Sequence, residues 1–185
     1  AGPAEEPVRG EVSRLNAELL RAAREQLAAA PDQPARVELS LVAGESEAVG
    51  ATLAGAIARG EVEGRVEVSA RGFAGQGFAF AATRGMSLRL EGYANDAVGE
   101  VISEGAEVVV VPPSGVSVHQ HLVGNATAYG ATGGELFVAG RAGQRCGVRN
   151  SGAVIVVEGV GEYAFEYMTG GVGVVLGETG GQLGS

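Results

Sequence analysis

At 185 residues the chain is the size of one domain, long enough to bury a core without a disulfide or a metal. Its 13 basic residues are all arginine and are outnumbered by 22 acids, for a formal net charge of −9. Without lysine there is no Schiff-base or phosphate-loop lysine, and the charge has the wrong sign for a nucleic-acid surface. The lone cysteine, Cys146, excludes an internal disulfide and a multi-thiolate metal site. No apolar stretch approaches the ~20 residues that span a bilayer. The acidic start, Ala1 to Glu6, has no apolar signal core, so the expected setting is cytoplasmic.

Residues 1–10 read as a flexible tail. From Glu11 to about Ala30 the spacing predicts a helix, with Val12, Leu15, Leu19 and Ala23 on one stripe and Leu20 and Leu27 beside it. Pro31 to Pro34 stops it. Arg36 to Val42 reads as a strand. Ser46 is the expected cap of a second helix that runs to about Arg59 and stops at Gly60. Residues 11–64 form an α/β preface on this reading, and a second domain spans 65–185.

Beyond Arg65, short valine-rich runs alternate with glycine-rich turns, and 32 of the 185 residues are glycine, far above the usual ~7%. A loose copy of the repeat is Ser87 to Gly92, followed by Gly105 to Pro112, Gly134 to Gly140, Gly152 to Gly159 and Gly171 to Gly177. A longer step between the copies at Gly105 and Gly134 marks an inserted loop from Pro112. Gly92, Gly134, Gly140, Gly152, Gly159, Gly171 and Gly177 are the expected structural corners. Repeats this short, with one strand each and no helical stripe, predict a mainly β fold: a right-handed, single-stranded parallel β-helix, a solenoid of stacked circuits. A glycine-rich β-sandwich is the competing architecture.

Several groups invite a chemical role. Gly72-Phe73-Ala74-Gly75-Gln76-Gly77 has glycines spaced as in dinucleotide loops, but Phe78 to Ala81 looks like a strand where a helix is required. His119 and His121 alternate as two metal ligands on one strand face would, with no third ligand evident. Arginines flank Cys146 and could activate its thiol, yet no base is adjacent. Glu158, Glu162 and Glu166 could act as acid and base in a carbohydrate-active enzyme, although the chain has no tryptophan to line a sugar cleft. Arg141, Arg145 and Arg149 form the densest basic segment. They are either a surface for an acidic partner or are neutralised by Glu158, Glu162 and Glu166.

Gly124-Asn125, Tyr129 to Gly134, Gly140 to Arg145, Val148 to Ala153 and Glu166 to Gly171 together resemble the GXGXG domain, the C-terminal β-helix of glutamate synthase. The resemblance runs from about residue 35 to 180. Departures include Glu100, where the family usually has lysine, and Glu104. The resemblance implies a non-catalytic strut with no catalytic, cofactor-binding or metal-binding residue of its own. It implies partners, a glutamine amidotransferase and an FMN and iron–sulfur synthase part, either as domains of one chain or as separate subunits. Similar domains occur in methylglutamate synthase and formylmethanofuran dehydrogenase complexes. A homo-oligomer closing an open end of the fold is a further expectation.

Overall fold

The computed structural model describes residues 13–185; the expected tail at 1–10 and the start of the first helix lie outside them. Helix α1 spans Arg14–Ala29, strand β1 Ala35–Leu41 and helix α2 Ala51–Ala58. Strands β2 (Val66–Ala74), β3 (Met86–Ala94), β4 (Glu107–Val111), β5 (Glu135–Arg141), β6 (Ser151–Gly159) and β7 (Gly170–Val175) follow.

The seven strands form one sheet in the order of the chain, every pair parallel. Alternation along β1 to β6 directs one row of side chains inward, whereas β7 buries none of its residues. Val37, Val68, Leu88, Val108, Leu136 and Ile155 are register partners, as are Leu39, Ala70, Leu90, Val110, Val138 and Val157. From Val68 and Ala70 onward these residues are almost wholly buried. The outward row carries charge, and Arg36–Glu67 (2.9 Å) and Arg71–Glu91 (3.4 Å) pair between neighbouring strands.

Helix α1 begins at Ser13, whose hydroxyl accepts from the Asn16 amide, and it buries Leu19, Ala23 and Leu27. Its Gln26 side chain donates to the Arg36 carbonyl (2.9 Å) and accepts from the Arg36 amide (2.8 Å). One amide thus satisfies both backbone groups of an edge-strand residue, as a further strand would. Ser46 does not cap α2. Gly50, in a left-handed conformation, occupies the cap, and the Ser46 hydroxyl instead accepts from the Val42 amide.

The structure corrects the expected architecture. In place of a mainly β, right-handed single-stranded β-helix, it shows, among the described residues, one seven-stranded all-parallel sheet with two helices, an α/β fold with few helices. The reason lies in the connections. Phe78 to Ala81, which looked like a strand, forms overlapping turns: Phe80 N–H donates to Gly77 O, and Ala82 N–H to Ala79 O. In each such turn the third residue is left-handed, Ala79 at φ +59° and Ala81 at +56°, the pattern of type II turns. The same alternation recurs at Ala97, Gly99 and Val101, at Ala126, Ala128 and Gly130, at Arg145, Gly147 and Arg149, and at Tyr163, Phe165 and Tyr167. A chain that is left-handed at every second residue cannot extend into a strand.

These connectors hydrogen-bond to one another across successive repeats. Gly99 N–H donates to Phe78 O, Ala128 N–H to Val98 O, Gly147 N–H to Thr127 O and Phe165 N–H to Cys146 O, all at 2.7–2.9 Å. A second column runs from Gly161 through Gly143, Gly124 and Asn95 to Gly75 and Ser46. Side chains are excluded there: a Cβ on Gly124 would lie 2.2 Å from the Asp96 carboxylate.

Candidate functional site

Strand β5 ends at Arg141, which faces Gly159 in the register of β6. A Cβ at Gly159 would sit 3.1 Å from Arg141 Cγ, so the bare backbone leaves a track for the arginine. The side chain crosses it, and Nη1 donates to Glu178 Oε2 at 2.5 Å. Its Nε is buried without a hydrogen-bond partner. Arg141 lines a groove of about 540 Å³ with Phe73, Tyr93, His121 and Glu162 among its walls. Phe73 and Tyr93 stack with ring centroids 6.3 Å apart, and His121 bridges Arg141 through the backbone.

Arg145 and Arg149 occupy the next connector, at φ +59° and +58°. The residues between them, Cys146, Gly147 and Val148, are buried, so both arginines are carried at the surface. Each lies over a tyrosine of the following connector: Arg145 Cζ is 5.7 Å from the Tyr163 ring centre, and Arg149 Cζ is 6.0 Å from that of Tyr167. Contacts of this kind are worth ~0.5–1 kcal/mol at exposed sites. The three arginines therefore divide. Arg141 is neutralised on the groove side by Glu178, an acid that spacing alone did not single out. Arg145 and Arg149 stand together with tyrosines beneath them.

Glu158, Glu162 and Glu166 are also separated by role. Glu158 lies in β6, Glu162 lines the groove, and the Glu166 carboxylate accepts from the Ser185 hydroxyl at 3.1 Å. His119 lies in the β4–β5 connection, where its amide donates to the Ser117 hydroxyl. Among the described residues no group of three or more His, Cys, Asp or Glu is placed to hold a metal ion. Cys146 is fully buried, and burial pushes its thiol up to about 12. The expected corner glycines lie mostly in strands: Gly92 in β3, Gly140 in β5, Gly152 and Gly159 in β6 and Gly171 in β7, with Gly134 and Gly177 just outside.

Most buried polar side chains bind backbone. Asn150 donates to Ala153 O (2.9 Å) and accepts from the amides of Gly152 (3.1 Å) and Ala153 (2.8 Å). Asn16 donates to Glu47 O (3.0 Å) and accepts from Gly50 N–H (2.9 Å), bracing α1 against the entry to α2. Thr127 donates to Gly124 O (3.2 Å). Acceptors at the surface tie successive connections together. Glu47 takes the Gln76 amide, Asp96 the Asn125 amide and Asn125 the Gln144 amide, at 2.7–2.9 Å. The sequence reading missed these residues. The available signal was an Asx-turn motif, Asn150-Ser151-Gly152, which does not reveal the long-range partners.

Residues 16–185 match the family described as the GXGXG motif. The chain is similar to ferredoxin-dependent glutamate synthase of Pyropia yezoensis, with 45% identity over 151 residues, covering 78% of this chain and 10% of that protein. It is 47% identical over 146 residues to the ferredoxin-dependent glutamate synthase of Cyanidium caldarium, covering 75% of this chain and 9% of the relative. The large chain of the NADPH glutamate synthase of Azospirillum brasilense is 46% identical over 117 residues, 62% of this chain and 8% of its own length. The chain thus spans about a tenth of the length of these relatives. A family match over nearly all the described residues, on the repeats that build the sheet and its connectors, places this chain in the GXGXG motif family, in homology with a region of the glutamate synthases.

Proposed function

We propose that this chain is a non-catalytic structural and interaction unit of a glutamate-synthase-type enzyme in glutamate biosynthesis, acting in the cytoplasm. On this reading it holds an amidotransferase part, which releases ammonia from glutamine, against a synthase part, which carries FMN and an iron–sulfur cluster. No cofactor is assigned to this chain. The carrying observation is the identity of 45–47% to glutamate synthases over three quarters of the chain. The use of the buried polar side chains supports it: Asn16, Asn150 and Thr127 all bind backbone.

Arg145 and Arg149 are the proposed contact residues, and Arg141 a brace on the neighbouring groove. The test is size-exclusion chromatography of the purified chain mixed with amidotransferase and FMN-dependent synthase polypeptides. Co-elution at micromolar concentration is expected. Independent migration of all three would overturn the reading.

A further inference from the structure

Arginine and tyrosine, with tryptophan, are enriched among the residues that carry binding energy at protein interfaces, and two of each are stacked here on adjacent connectors. Among the described residues neither Arg145 nor Arg149 reaches a carboxylate within 4.0 Å, while eight other arginines do. The nearest acids in register do not neutralise them. Arg145 and Arg149 meet Glu162 and Glu166 through backbone, amide to carbonyl at 2.9 Å in each case, and the Glu166 carboxylate takes the Ser185 hydroxyl. With Arg65 and Arg89, which lie outside these connectors, they are the arginines that form no ion pair among the described residues of a chain of net charge −9.

The ground beside them suits a close approach. The matching left-handed positions of the three preceding connectors are Gly77 and Ala81, Ala97 and Val101, and Ala126 and Gly130. All are small except Val101, which is 40% exposed, and Phe80 beside them is 38% exposed. Low relief, exposed apolar side chains and a bordering pair of oriented cations describe a protein-docking surface. A guanidinium resting on a ring is already ordered, which lowers the entropy lost on binding. Its edge remains free to donate two parallel hydrogen bonds to one carboxylate.

We propose that Arg145 and Arg149, held over Tyr163 and Tyr167, form a two-point clamp for an acidic segment of a partner polypeptide. One carboxylate pairs with each guanidinium, and the partner's apolar flank covers Val101 and Phe80. The proposal deepens the assembly reading and rests on it for its biological setting. The net charge of −9 opposes every polyanion alike, so the test below sets an oligothymidylate beside the acidic peptide.

Fluorescence anisotropy of labelled hexaglutamate, hexaglutamine and a short oligothymidylate against the full chain at low salt tests the clamp. Hexaglutamate should bind, hexaglutamine should not, and the signal should fall with added salt. Arg145→Gln/Arg149→Gln should weaken binding at least about tenfold, since each charged hydrogen bond lost is worth that order. Glutamine tolerates the backbone at these sites no worse than arginine, and thermal melting checks the fold. The control Arg65→Gln/Arg89→Gln, made at arginines outside the clamp, should bind as the parent does. Equal loss in the control, no hexaglutamate binding, or tighter binding of oligothymidylate would each overturn the clamp. The assay contains no amidotransferase or synthase polypeptide. A clamp that binds hexaglutamate in a chain that fails to co-elute therefore sinks the assembly reading alone, and the converse sinks the clamp alone.

Discussion

Cys146 shows how far a residue's surroundings override its neighbours in sequence. Arg145 precedes it and Arg149 follows closely, an arrangement that would lower the pKa of an exposed thiol. Instead the arginines project to solvent over Tyr163 and Tyr167, while the thiol points into the core. Burial dominates and pushes its pKa up to about 12. A thiol-labelling reagent at pH 8 should leave the folded protein unmodified and react at one site once denaturant is added. Stability should follow the same shift. The contribution is fully present below the unfolded thiol's pKa, ordinarily ~8.5, and is lost as pH rises from there toward about 12. Urea titrations at pH 7 and pH 10 should therefore differ, with the folded state weaker at the higher pH. An equal midpoint at both would refute the burial of this thiol.

Among the elements, the connectors carry the strain. Among the described residues twelve non-glycine residues have positive φ, and eleven of them lie in the alternating turns from Ala79 to Tyr167. An L-residue in the left-handed region costs ~1–2 kcal/mol, and the cost is highest for a β-branched side chain. Val101, at φ +52° and 40% exposed, has that cost with little packing to offset it. Val101→Gly should raise stability by roughly 0.5–1 kcal/mol, the relief exceeding the extra freedom glycine brings to the unfolded chain. A lower melting temperature would show that the Val101 side chain contributes more than its backbone costs. Gly92 behaves oppositely: at φ +155°, a Cβ there would lie 1.9 Å from the carbonyl oxygen of Gly72, so no side chain fits.

At the scale of the molecule, each repeat leans on the next, and the two ends of the sheet are finished differently. At the first strand, α1 covers β1 with Leu19, Ala23 and Leu27, and Gln26 pairs with the backbone of Arg36. At the other, β7 is the last strand of the sheet, with Val172 50% and Leu176 62% exposed. Removing residues 1–30 should bare the edge of β1 and the apolar surface beneath α1. Light scattering should then report self-association where the full chain is less aggregated, and an unchanged particle size would refute the capping role of α1.

How much of this was legible depends on the range of the forces involved. The strands from Gly105 to Val175 were readable because valine and isoleucine runs bounded by glycine are local signals of buried β-structure. The step between repeats and the family resemblance were readable for the same reason. The connectors were not. Nothing local makes Ala79, Arg145 or Tyr163 left-handed; hydrogen bonds from neighbouring repeats impose it. The expected solenoid failed at this point, since spacing counts residues per repeat without saying what the residues between strands do. The arginine segment was legible as a charge excess, while its division was not. Register with Gly159 carried Arg141 to Glu178, and stacked turns set Arg145 and Arg149 on tyrosines. Composition and repeat length are properties of the chain alone, whereas the pairing of charges and the handedness of turns follow from which repeat is stacked upon which.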